Sequence, residues 1–287
     1  MARSWLILGA GYTGARLVER LVRDGEQVTA TRRAPPDEVA GAGAGARWLA
    51  LELDGDLAGL PPCDVAVCCA PPGAPPGARE ARAIAALRGC AHFVYVSSTG
   101  VYAPGGGAWV DEGWPVAPEG ELGRARAAAE DGVRRAADAA GLRWTILRAA
   151  GIYGPGRGLA ARVRGGQARV IGEGGAHVSR IHVEDLVSAI LAAAARAVTG
   201  IVNCGDDEPA PHGLVLDAVA AELGLPAPPR VEPASLSAAA QAMLLADRRI
   251  SNRRLRDELG VILRYPSWRD GLRAELASAT DVDQRRS

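Results

Sequence analysis

Apolar residues along the first half of the chain fall in short blocks, separated by stretches of helical spacing. SWLILG (4–9) is a run of strand length, and Leu17, Val18, Leu21 and Val22 beyond it share one helical face. VTAT (28–31), ARWLAL (46–51), CDVAVCCA (63–70), AHFVYVSS (91–98) and RWTILRA (143–149) predict five more strands. Helices are expected over about 77–89 and 121–140. The strand blocks are runs of Val, Ile, Leu and Ala without clean alternation, as in strands buried on both faces. Strands separated by helices pair in parallel, with helices on both sides. The pattern therefore predicts an α/β fold built on a doubly wound parallel sheet.

The turn after the first strand carries chemistry. GAGYTG (9–14) is G-x-G-x-x-G between a predicted strand and a predicted helix, the context in which the motif binds a dinucleotide. Gly9 permits the tight turn, Gly11 lets a pyrophosphate approach the backbone, and Gly14 lets the helix pack on the strand. Tyr12 and Thr13 complete the set of cofactor-binding residues in this turn. The sheet is thus expected to be of the Rossmann type. An NAD site would place an acid near the end of the second strand to hold the ribose 2′-hydroxyl. Arg32 and Arg33 stand there instead. A guanidinium can hold a 2′-phosphate in a bidentate contact, so NADP is expected in preference to NAD.

Beyond residue 150 the pattern loosens into loops, helices near 183–196, 211–223, 251–259 and 267–278, and a strand near IVNC (201–204). The expected organisation is an NADP-binding domain over 1–150, with return segments near 183–205. A smaller, mainly substrate-binding region covers 151–280, and a disordered tail 281–287. GAGAGA (41–46) and PPGAPPG (71–77) are loops by composition, the second at the face where such sheets bind ligands. The N-terminal run lacks a small-residue cleavage site and leads straight into the glycine turn, so it is expected to be a buried strand rather than a signal peptide. No apolar stretch reaches ~20 residues, so no membrane span is expected.

Composition narrows the partners. The 287 residues hold 33 acidic and 33 basic side chains and no formal net charge, which argues against a nucleic-acid or anionic-membrane partner. The expected partner is a small-molecule substrate. Five cysteines and four histidines show no metal-ligand spacing, so no metal is expected, and free buried thiols fit a reducing cytoplasm. All the basic residues are arginine. The absence of lysine excludes a lysine Schiff base or a lysine general base.

Several stretches together resemble the extended and atypical short-chain dehydrogenase/reductase superfamily, the NAD-dependent epimerase/dehydratase-like proteins, and within it a small bacterial atypical subgroup. They are LGAGYTG (8–14), VYVSSTGVY (94–102), DEGWPVAP (111–118), LRAAGIYGPGR (147–157), RIHVEDL (180–186), and SNRRLRDELG followed by RYPSWRDGL (251–272). The resemblance implies a Rossmann domain with a C-terminal substrate-binding part and a site at the carboxyl ends of the strands. It also implies a serine or threonine, a tyrosine and a lysine as the proton-handling groups. Ser98 matches the serine. Glu112, Pro115, Pro118 and Glu130 match the pattern that brackets the Tyr-x-x-x-Lys pair, which puts Arg126 at the lysine position and Leu122 at the tyrosine position. Arg126 could still hold the ribose, but leucine donates no proton. Tyr102 and Tyr153, in loops after strands, are the candidates to replace it, with His182 behind them. Ala70, Pro71, Ser97 and Gly151, at strand ends, join Arg126 as expected cofactor contacts. Arg157, Arg162 and Arg164 either meet an anionic substrate or are surface charges. Two functions remain open. One is an NADP-dependent oxidoreductase or epimerase/dehydratase-like enzyme acting on a small carbonyl, hydroxyl or sugar-nucleotide substrate. The other is a redox-silent NADP-binding sensor or scaffold. By analogy with the superfamily the protein is a monomer or a homodimer.

Overall fold

A computed structural model describes residues 2–34 and 45–284. Seven strands make the central sheet: β1 (Ser4–Leu8), β2 (Gln27–Arg32), β3 (Arg47–Ala50), β4 (Val65–Cys68), β5 (His92–Ser98), β6 (Arg143–Ala149) and β7 (Gly200–Cys204). Their order is β7-β6-β5-β4-β1-β2-β3, and every pair is parallel. This is the doubly wound Rossmann arrangement expected from the alternation of strands and helices. The order reverses between β1 and β4, so the crevice at their carboxyl ends is the ligand-binding edge.

Described helices are α1 (Tyr12–Arg23), α2 (Ala78–Ala86), α3 (Glu121–Ala139), α4 (Leu159–Arg164), α5 (Val183–Arg196), α6 (His212–Glu222), α7 (Ala238–Leu244), α8 (Arg253–Asp257) and α9 (Trp268–Gln284). Successive side chains of a strand face opposite layers. Trp5 and Ile7 of β1 accordingly join one core with Leu17, Val18 and Leu21 of α1 and Leu186, Val187 and Ile190 of α5. Leu6 and Leu8 join the other core with Ala83 and Ile84 of α2 and Ala129, Val133 and Ala137 of α3. α2 and α3 approach so closely at Gly77 and Gly132 that a side chain on Gly132 would overlap the Gly77 carbonyl.

The second half supplies a third core, in which Leu159 and Val163 of α4, Val215 and Val219 of α6, and Trp268 and Leu272 of α9 meet. Separate two-stranded ribbons accompany it, 151–153 with 180–182, 109–110 with 249–250, 177–178 with 210–211, and 170–171 with 230–231, and of these the 109–110 pair links the first half of the chain to the second. α4, α7 and these strands were not foreseen. The helix predicted to end at 278 is longer and runs to Gln284, over part of the expected tail, while 285–287 lie outside the described residues. So does most of the GAGAGA loop, residues 41–44.

Candidate active site

The glycine turn is built as the motif requires. Gly9 has a φ of 81°, and a Cβ there would lie 2.8 Å from that of Ala70, so the turns after β1 and β4 can touch only through glycine. The Gly9 amide donates to Thr31 Oγ1 at 3.1 Å and the Ala10 amide to the Thr31 carbonyl at 2.9 Å, which ties the turn to β2. A Cβ on Gly14 would lie 2.9 Å from the Gly9 carbonyl, so α1 starts hard against the turn. At Gly11 a Cβ would meet nothing within 4 Å, and no side chain caps α1. The helix N-terminus is thus left open beside a bare backbone, which fits the pyrophosphate of a nicotinamide dinucleotide. Thr13 is buried in the turn.

Tyr12 lies between two guanidiniums. Arg16 is 3.9 Å and Arg157 4.3 Å from its ring centroid. Arg16 also donates to the Tyr12 carbonyl at 2.9 Å and, across the crevice, to the Pro155 carbonyl at 2.7 Å. Arg157 therefore sits beside the cofactor turn. Arg16 is a residue the sequence pattern did not single out. Arg32 and Arg33 are exposed at the end of β2; the Arg32 carbonyl accepts the Leu51 amide at 3.0 Å, and neither side chain has a hydrogen-bond or ion-pair partner among the described residues. Pro71 is exposed and Ala70 buried at the β4 turn, and Gly151 is exposed beyond β6.

Ser98 ends β5 half-buried, and its Oγ accepts the Gly100 amide at 3.0 Å, capping the short turn Thr99–Val101. Its own proton remains free to donate. Ser97 points the other way: it is buried, and its hydroxyl donates to Glu130 Oε1 at 2.5 Å. Any contact of Ser97 with a cofactor is therefore left to its main chain. Glu130 also receives Arg148 Nη2 at 2.7 Å, and both are under 5% exposed. Arg126 on α3 donates through Nη1 to the Ala70 carbonyl (3.3 Å), the Val96 carbonyl (3.0 Å) and the Tyr95 hydroxyl (3.0 Å). Its charge thus sits between the β4 and β5 ends, where the resemblance puts a ribose-holding lysine. Leu122, one turn earlier, is 71% exposed.

Both candidate replacement tyrosines are buried, with their hydroxyls engaged inside the protein. Tyr102 is fully buried; it donates to Asn203 Oδ1 at 2.7 Å, its ring lies 4.6 Å from the Arg148 guanidinium, and burial pushes its pKa up to about 12. Tyr153 is 4% exposed, donates to the Ser267 carbonyl at 3.3 Å and packs under Gly271 of α9, and burial raises its pKa further. A loop position after a strand suggested the ligand face for both, but each side chain turns into the protein. His182 is buried too, with a pKa driven down to about 4 by desolvation and then by Arg16 and Arg264. Its Nδ1 accepts the Glu184 amide at 3.2 Å and its ring lies 3.7 Å from that of Tyr265. It is a neutral helix cap.

Arg248 was not anticipated. It is nearly buried, and its guanidinium reaches the loop that follows Ser98: Nε to the Ala103 carbonyl (3.0 Å), Nη1 to that of Thr99 (3.0 Å) and Nη2 to that of Tyr102 (2.8 Å). α9 holds the opposite rim. Glu275 accepts the amides of Ala160 (3.1 Å) and Ala161 (2.9 Å) at the start of α4, just beyond Arg157. Among the described residues no three potential ligands gather as a metal site, and no helix is long and apolar enough to cross a membrane.

Comparison with known proteins places this geometry. The sequence model of the NAD dependent epimerase/dehydratase family matches residues 78–205. A "3-diazoavenalumate denitrifying reductase" from Streptomyces sp is 40% identical over 190 residues, 60% of this chain. The match spans 61% of that relative's length. A solved structure of a functionally unknown conserved protein from Silicibacter pomeroyi DSS is 34% identical, covering 96% of this chain and 99% of that one, with a TM-score of 0.80. Human epimerase family protein SDR39U1, solved with NADPH, shares the fold at 21% identity and a TM-score of 0.76, over 94% of this chain and 97% of that one.

Proposed function

Because the chain belongs to the NAD dependent epimerase/dehydratase family, we propose that it is a reductase that uses NADP(H) in preference to NAD(H) and acts on a small molecule. The observation that carries the cofactor reading is the open α1 N-terminus beside Gly11, with Arg32 and Arg33 exposed at the end of β2. When bound, the reduced nicotinamide supplies hydride. The amides of 9–14 would hold its pyrophosphate, Arg16 and Arg157 would flank that charge, and Arg126 would face the ribose. Ser98 would hydrogen-bond the reacting end of the substrate. Reduction is favoured over epimerisation or dehydration because the relative at 40% identity is named a reductase.

Fluorescence titration with NADPH and NADH tests the cofactor reading. The wild type is expected to prefer NADPH, and Arg32→Asp with Arg33→Ala to lose roughly 10- to 100-fold in NADPH affinity, the range of charge-assisted bonds to a phosphate. An unchanged affinity ratio would refute it. The exposed Leu122 also favours a second reading, a redox-silent NADP-binding sensor. NADPH binding without turnover on any acceptor would support it.

A further inference from the structure

We infer that the substrate is a planar, conjugated electrophile that takes hydride without a proton from the protein, and that its plane lies against Leu122. This rests on the reductase reading above.

The first support is the wall itself. Leu122 stands at the second position of α3, 71% exposed, where the family's pattern puts a tyrosine. Its surroundings are fixed. Gly123 sits so close to the Gly100 carbonyl that a side chain there would overlap it, which holds the start of α3 against the turn capped by Ser98. On the other flank a Cβ on Gly120 would lie 3.0 Å from Ala242 of α7. Leu122 therefore stands at the corner between the Ser98 turn and α7. Val116 in the loop before α3 (49%) and Met243 in α7 (59%) are further exposed apolar side chains. An exposed leucine gains by being covered with an apolar face.

The second support is the disposition of the tyrosines, His182, Arg126 and Ser98 around this edge. Tyr102 and Tyr153 are buried, with their hydroxyls engaged. The Tyr95 hydroxyl is buried and accepts from Arg126, and the Tyr12 hydroxyl is buried beneath Gly154, at which a Cβ would lie 3.1 Å away. His182 is neutral and its Nδ1 is an acceptor. The Arg126 guanidinium is engaged with the Ala70 and Val96 carbonyls and the Tyr95 hydroxyl. Ser98 can donate a hydrogen bond, but its alkoxide is too basic for it to give up the proton.

An isolated ketone needs a proton as the alkoxide forms; a conjugated electrophile does not. As the nicotinamide C4–H bond breaks and the new bond to hydrogen forms, the acceptor's π pair moves away from the attacked atom. It ends on a cationic nitrogen, which becomes neutral, or spreads along the conjugated system until water protonates it afterwards. The cofactor is left oxidised, and no proton crosses from the protein.

The test uses the full chain with NADPH and three acceptors: an N-methyl dihydroisoquinolinium cation, 1,4-naphthoquinone and cyclohexanone. One or both conjugated acceptors should turn over at least about 100-fold faster than cyclohexanone. Turnover should show a primary isotope effect with 4-deuterated NADPH and a solvent isotope effect near unity, with kcat/KM flat from about pH 6 to 9. A large solvent isotope effect with a bell-shaped pH profile would overturn the inference. So would reduction of cyclohexanone alone, which leaves the reductase reading intact. NADPH binding without oxidation by any acceptor would overturn both. Binding gives a separate readout. Calorimetry of 2-naphthoate with the NADP+-loaded protein should weaken about fivefold in Leu122→Ser and stay within about twofold in Leu122→Met. Equal binding by wild type and Leu122→Ser would remove Leu122 from the site.

Discussion

Replacing Arg248 with methionine tests how the reaction edge is held. The guanidinium makes three hydrogen bonds of 2.8–3.0 Å to consecutive-loop carbonyls at 99, 102 and 103, and is about 9% exposed. Loss of a hydrogen bond to a charged group costs about 1.5–3 kcal/mol, so three taken separately would come to roughly 4.5–9 kcal/mol. They share one loop, which can relax and admit water, so about 3–5 kcal/mol is expected. For a chain of this size that is a fall of roughly 6–15 °C in Tm. Arg248→Lys keeps the charge but not the three-pronged geometry, and should lose about half as much. Thermal unfolding gives the stability change, and hydrogen exchange across 99–108 shows where it falls. The Ala103, Gly105 and Gly107 amides, bonded to the carbonyls of Pro115, Ala246 and Asp247, should lose protection before the central strands do. A cost below about 1 kcal/mol with unchanged exchange over this loop would refute the assignment.

Three other substitutions give independent readings. Glu130→Leu should cost about 3–5 kcal/mol by leaving Arg148 buried without its partner, while adding Arg148→Met should recover most of it; additive losses in denaturant melts would contradict this. His182, depressed to about 4 in the folded protein against 6.5 in the unfolded chain, stays neutral while the unfolded state binds a proton between those values. Stability should therefore fall as pH drops from about 6.5 to 4, and His182→Asn should make that part of the profile shallower, the slope that remains coming from the likewise depressed His92 and His212; a parallel profile would argue against it. Tyr102→Phe and Tyr153→Phe should leave turnover unchanged wherever activity is found. Tyr102→Phe should still lose about 1–3 kcal/mol of stability, because Asn203 Oδ1 loses its donor, and a collapse of turnover in either would restore that tyrosine as an acid.

The sheet was legible because each strand is a continuous apolar run and the helices between strands carry a 3.6-residue stripe. RWTILRA, for example, coincides with β6 residue for residue. α4, α7 and the two- and three-residue strands were not, because so few residues define no stripe. The glycine turn was legible because Gly9 and Gly14 are required by backbone contact. The burial of the two tyrosines was not legible because a loop position does not tell which way a side chain turns: Tyr102 finds Asn203 and Arg148 from distant segments, and Tyr153 finds α9. Arg16 and Arg248 could not be picked out by type, since every one of the chain's 33 cations is an arginine.

The contacts of α9 carry a consequence for the order of folding. Tyr153, Ala160 and Ala161 reach their partners at Ser267 and Glu275 across 114–115 residues of chain. Such contacts close late, since loop entropy opposes them until neighbouring structure is in place. β1 to β6 can pair from shorter-range contacts while the rim bearing Arg157 is still unanchored. A refolding chain should regain its far-UV signal before it regains tight dinucleotide binding, with the lag set by the docking of its last helix.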